Sequence, residues 1–107
     1  MKRETRNAFL MKLRPGCEAE YKRRHDNLWP DLAAALKTAG ISDYSIFLDE
    51  QTGYLFAVQK LAEGSTAAAL PNHPIVKKWW ASMKDLMDTN LDNSPVTTPL
   101  REVFHLV

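Results

Sequence analysis

Ser42-Asp43-Tyr44-Ser45-Ile46-Phe47-Leu48, then Asp49-Glu50-Gln51-Thr52-Gly53, then Tyr54-Leu55-Phe56-Ala57-Val58-Gln59-Lys60 is the stretch that decides the fold. Its two flanks are rich in aromatic and β-branched residues, and its polar centre ends on glycine, so it reads as two antiparallel strands joined by a hairpin. Upstream, Arg6 to Leu13 reads as a strand that Arg14-Pro15-Gly16 ends. Between that strand and the hairpin, Cys17, Tyr21, Leu28, Leu32, Leu36 and Ala39 recur at helical spacing. Pro30 breaks this helix near Asn27 to Trp29 and opens its second half, and Gly40 stops it.

Downstream, Glu63 to Leu70 is expected as a short helix capped by Ser65 and ended at Pro71. Pro74 starts a clearer helix with an apolar stripe of Val76, Trp79, Trp80, Met83 and Met87. Asn90 to Pro99 reads as a loop and Leu100 to Val107 as a last strand. The order β-α-β-β-α-β is that of a ferredoxin-like α+β fold, with helices on one face of the sheet. A one-sided sheet alternates apolar with polar residues, yet these strands carry bulky apolar side chains at both parities: Phe9 and Met11 but also Leu10, Tyr44 and Ile46 but also Phe47. The second face therefore needs a cover, and a second copy of the chain is the economical one. The expectation is a homodimeric α+β barrel in which residues 1–107 form one domain.

Composition narrows the function. The 107 residues are 45% hydrophobic and 25% charged, with 14 Lys plus Arg against 13 Asp plus Glu. That balance supplies no field for binding nucleic acid or an anionic membrane, and favours a small neutral ligand. Cys17 is the one cysteine, so no internal disulfide is possible, in keeping with a reducing compartment. The charged start Met1 to Arg6 is followed only by Ala8-Phe9-Leu10-Met11, too short for a signal peptide, and no apolar run reaches the roughly 20 residues of a membrane span. A cytoplasmic soluble protein is expected.

Within Tyr21-Lys22-Arg23-Arg24-His25-Asp26-Asn27-Leu28-Trp29-Pro30, Tyr21 and His25 lie four apart on the inward helix face. An imidazole and a phenol pointing inward need partners or a cavity. Imidazole titrates near neutrality and a phenol can donate to a developing oxyanion, so the pair suits general acid–base work. Tyr44 projects to the same face as Ile46 and Leu48 and could converge on that space. Trp79 and Trp80 sit about 100° apart around their helix, so one can pack inward while the other lines a cavity with a flat apolar face suited to a sugar ring. Each of these residues also has an ordinary packing role open to it. His25, His73 and His105 have no metal-ligand spacing, the glycines are scattered singly, and no nucleophile elbow is present. Neither a metal nor a cofactor is expected.

Taken together, Tyr21-x-x-x-His25-x-x-x-Trp29-Pro30, Tyr44, Trp79-Trp80, Asp92-Asn93-Ser94-Pro95 and Glu102-Val103-Phe104 resemble the L-rhamnose mutarotase family. The resemblance runs in order through nearly the whole chain. It implies a homodimeric α+β barrel that interconverts the α and β anomers of L-rhamnopyranose, with His25 at the proton-donor position and Tyr21, Tyr44, Trp79 and Trp80 binding the sugar. Two positions depart from it: Ala67 where a tryptophan is more usual, and His105 where a tyrosine is common. A wall of Trp79, Trp80 or Met83 would bury the methyl group of a 6-deoxy sugar. The competing readings are a barrel enzyme acting on an apolar aromatic ligand and a non-catalytic ligand-binding or dimerisation module.

Overall fold

A computed structural model describes residues 4–107; the first three residues of the charged start, Met1 to Arg3, lie outside it. Strands Glu4–Lys12 (β1), Ile41–Leu48 (β2), Tyr54–Ala62 (β3) and Thr98–Leu100 (β4) form one antiparallel sheet in the order β2-β3-β1-β4. Helices Glu18–Asp26 (α1) and Pro30–Thr38 (α2) follow β1, and Pro74–Met83 (α3) follows β3.

The local chemistry explains the boundaries. Trp29 is extended (φ −62°, ψ 129°), as a residue before proline must be, and Pro30 takes the first turn of α2. Gly40 ends that helix at φ +88°, where an L side chain is strained. The hairpin turn is held by Asp49, whose carboxylate accepts from the Gln51 N–H at 3.1 Å and from the Thr52 hydroxyl at 2.9 Å.

One sheet face carries the core. Met11, Leu55 and Ala57 are buried there with Leu13 and Tyr21, packed against Met83, Leu86 and Met87 from α3 and the segment after it. The opposite face presents cross-strand rows of apolar residues: Phe47, Phe56 and Leu10 in one, Val58, Ala8 and Leu100 in the next. Phe47 is 63% exposed. Both parities of the strands are thus apolar, one buried within the chain and one not.

Three expectations are corrected. The segment after β3 is not an α-helix over Glu63 to Leu70 but a 3-10 turn over Ala67–Asn72 that runs through Pro71. Ser65 still acts as its hydroxyl anchor, accepting from the Ala67 N–H at 3.1 Å while donating to the Ala39 carbonyl. The last strand is three residues long, and residues 101–107 pair with no strand among the described residues. Val103, Phe104, Leu106 and Val107 stay exposed. Met87 lies beyond α3 yet is buried, because its backbone bridges Leu13.

Candidate active site

The helix break brings aromatic side chains from α1, the Asn27–Trp29 link and α3 together. Tyr21 and His25, one turn apart on α1, place their rings 4.2 Å centroid to centroid. His25 meets Trp79 of α3 edge to face at 5.3 Å, and Trp29 meets the same indole edge to face at 5.2 Å. Because α1 stops at Asp26, the chain can turn back and set Trp29 against Trp79; Trp29, quoted in the sequence motif without a role, props that indole. Arg24, next to His25, ties α1 to the end of α3. Its Nη1 donates to the Ser82 carbonyl at 2.6 Å and to Asp85 at 3.0 Å, while Nε donates to Glu20 at 2.7 Å.

Tyr44 reaches the same space through a β-bulge. The register between β2 and β3 slips between Ser42 and Ser45, and Asp43 takes φ +47°. Without the extra residue, the parity that buries Ile41 would send Tyr44 to the other sheet face. The bulge switches it inward with Ile46 and Leu48, a common use of bulges beside functional sites.

Tyr21, His25, Tyr44, Trp79 and Trp80 all line one cavity of about 1420 Å³ between sheet and helices. That exceeds the ~300–1,000 Å³ of ordinary small-ligand sites, so a single sugar ring fills only part of it. Both tryptophans are half-buried cavity residues. Trp79 also packs against the core cluster and Trp80 does not. Ala67, the small residue at the first departure from the family pattern, also lies on the cavity wall. His105, the second, is in the terminal tail, 3.9 Å from Glu102. Asp92 organises the loop after α3 by accepting from the Ser94 N–H at 3.0 Å, and Asn93 and Ser94 border the cavity.

The electrostatics assign protonation states. His25 Nδ1 lies 2.9 Å from the Tyr21 carbonyl, which can only accept, so Nδ1 carries the proton and Nε2 is the nitrogen left for chemistry. Burial lowers the His25 pKa, opposed in part by that carbonyl and by Asp26, and the neutral imidazole prevails at neutral pH. Burial pushes the Tyr44 phenol up to about 12. It also raises Tyr21, whose phenol is further raised by the nearby Tyr44. Both phenols stay protonated, and neither hydroxyl bonds to another described residue. Gln59 of β3, which the sequence reading passed over because a glutamine in a strand carries no motif, enters the same cavity. Among the described residues no three His, Cys, Asp or Glu side chains cluster as a metal-binding set.

An antiparallel sheet backed by helices, with imidazole, phenols and indoles around one cavity, defines a small α+β protein equipped to hold a polyol ring and move protons on it. The chain belongs to the L-rhamnose mutarotase family, whose model matches residues 6–106. It is 58% identical over 106 residues to an L-rhamnose mutarotase of Flavobacterium johnsoniae, covering 99% of both chains. It is 56% identical over 101 residues to one of Brucella anthropi, covering 94% of this chain and 95% of that one. The crystal structure of an L-rhamnose mutarotase from Formosa agariphila superposes with a TM-score of 0.90 at 52% identity, over 96% of this chain and 99% of that chain.

Proposed function

We infer that this chain is an L-rhamnose mutarotase, a carbohydrate isomerase that interconverts the α and β anomers of L-rhamnopyranose, and that His25 is its catalytic residue. The observation that carries the reading is that His25, Tyr21 and Tyr44 line one aromatic-walled cavity with His25 Nε2 and both hydroxyls bonded to no described residue. The near-full-length similarity to proteins of that name supports the substrate.

Mutarotation needs a base at the anomeric hydroxyl and an acid at the ring oxygen. In the neutral state His25 offers a lone pair at Nε2, so it takes the anomeric proton as the bond from C1 to the ring oxygen breaks. A phenol of Tyr21 or Tyr44 donates to that oxygen, whose developing alkoxide is more basic than either tyrosine. The free aldehyde turns about C1–C2 and recloses on its other face, and both protons return. The donor role implied for His25 by the family resemblance then belongs to the imidazolium formed on opening, which gives its proton back on closure. General acid–base groups contribute about 10²–10⁴-fold each, enough for a reaction that already proceeds unaided. Tyr21, Tyr44, Trp79 and Trp80 are the sugar-binding residues in this reading. The indole faces and Met83 favour the C6 methyl over a hydroxyl by ~1–3 kcal/mol, so hydroxylated relatives are turned over less well rather than excluded.

The finer fold assignment belongs to the same proposal. The domain, residues 1–107, is ferredoxin-like and pairs into a homodimeric α+β barrel. The apolar rows around Phe47, Phe56 and Leu100 and the uncovered Val103 and Phe104 support it. A cytoplasmic location in rhamnose metabolism fits a chain with one free cysteine. The test is saturation-transfer proton NMR on equilibrated L-rhamnose with a trace of protein. Saturating one anomeric proton must diminish the other; no transfer beyond the protein-free control would remove the mutarotase reading and leave a binding module.

A further inference from the structure

Gln59 sits on the central strand β3, on the sheet face that bears the cavity, and is 6% exposed. Among the described residues it is the sole buried polar or charged side chain apart from tyrosine. A carboxamide brings two acceptor lone pairs and two donors into the interior, and each one left without a partner is costly. Asn7, its cross-strand neighbour on β1, donates from Nδ2 to Gln59 Oε1 at 3.0 Å. That bond fixes the plane of the amide and directs Nε2 away from β1. Nε2 bonds to no described residue, and it is not sealed in protein, since no enclosed side-chain polar atom lacks a partner. It therefore opens into the cavity that Gln59 lines. The bulge that turns Tyr44 inward lies directly across from Gln59, and both residues line the cavity.

We propose that Gln59 is a further substrate-binding residue, held in orientation by Asn7, and that its Nε2 donates a hydrogen bond to a ring hydroxyl of the sugar on the side facing the sheet. This rests on the mutarotase reading and adds a polar floor opposite the His25 and Trp79 roof. Asn7 is a positioning residue: it touches the amide, not the sugar. A ring hydroxyl can both accept from Gln59 and donate to Tyr44, whereas a hydrogen at that carbon leaves the Gln59 donor and the Tyr44 acceptor unpaired. The pair thus makes one hydroxyl of the substrate a point of selection.

The test is anomer exchange by wild type and Gln59→Leu on L-rhamnose and on its analogues lacking the hydroxyl at C2, C3 or C4 in turn. Gln59→Leu is expected to raise KM for L-rhamnose about three- to tenfold, the size of a lost neutral hydrogen bond, with kcat within about twofold. One analogue is expected to be disfavoured by wild type and no longer disfavoured by Gln59→Leu, while the other two keep their ratios to L-rhamnose. An unchanged KM, or an equal penalty on all the sugars, would overturn the proposal. If Gln59→Leu does not fold, Gln59→Met, unbranched and without donors, must show the same loss of discrimination, and retained discrimination overturns it. Asn7→Ala is expected to raise KM in the same direction by a smaller factor. Absence of exchange by the wild type would overturn the mutarotase reading and this proposal with it, a result distinct from normal exchange that ignores Gln59.

Discussion

The pH dependence of the exchange rate follows from the state of one nitrogen. With Nδ1–H bound to the Tyr21 carbonyl, proton uptake on His25 can occur only at Nε2, and burial moves that event below the ordinary histidine value of 6.5. Even at an unshifted pKa, ~90% of the imidazole would be neutral at pH 7.5, and the lowered pKa makes the fraction larger. A base at Nε2 therefore gives kcat/KM that falls about tenfold per pH unit below the shifted pKa and stays level from pH 7 to 9. The Tyr44 phenol, pushed up to about 12, contributes no alkaline limb in that range, and Tyr21 is raised as well. The assay is saturation-transfer NMR with the protein-free rate subtracted at each pH, since the spontaneous reaction also responds to acid and base. A rate that instead drops about thirtyfold between pH 7.5 and 9 would mean that the imidazolium is the form that starts the reaction, and would refute the assignment.

Other perturbations probe fold and assembly. Phe47→Glu places a charge in the apolar sheet face, and a two-fold interface contains the change twice. If the proposed dimer forms through this face, losing two phenylalanines from it costs ~3–6 kcal/mol of association, and light scattering is expected to register a dimer for wild type and a monomer for the variant. Gly53→Ala and Gly64→Ala both force a positive φ on an L residue, at +79° and +78°. Only Gly53 also presses its new Cβ to 3.0 Å from the Leu13 carbonyl. Urea unfolding should show a loss of about 1–2 kcal/mol for Gly64→Ala and a larger one for Gly53→Ala. At His25 the folded pKa is depressed, so the folded state keeps its full stability above the unfolded value of ~6.5 and loses it as pH falls through the folded value, where the buried imidazole has to take up charge. Urea midpoints of wild type should decline over that acid window more steeply than those of His25→Asn.

Much of this was legible in the sequence because it depended on local rules. Pro30 and Gly40 mark the split and stop of the first helical segment, and the Asp49 to Gly53 turn marks the hairpin. The four-residue spacing of Tyr21 and His25 puts both rings on one face, and they meet there. What escaped depended on pairing across the fold. The bulge at Asp43 is invisible in a parity count, although it decides that Tyr44 faces the cavity. Gln59 reads as an unremarked polar residue until Asn7 is found opposite it. A last strand is expected over Leu100 to Val107, but pairing with β1 ends at Ala8 and Leu100 although β1 itself begins at Glu4. The Ser65 cap and the Pro71 stop suggested a short helix over Glu63 to Leu70, whereas a 3-10 turn starts only at Ala67 and runs through Pro71.

The central claim, that His25 drives anomer interconversion, is tested most directly by one comparison. Saturation transfer between the anomeric protons of L-rhamnose is measured at pH 7.5 with equal folded concentrations of wild type and His25→Asn. The expected result is rapid transfer with wild type and a loss of about 10²–10⁴-fold in the variant, with near-UV circular dichroism unchanged. A folded His25→Asn that kept the wild-type rate would contradict it.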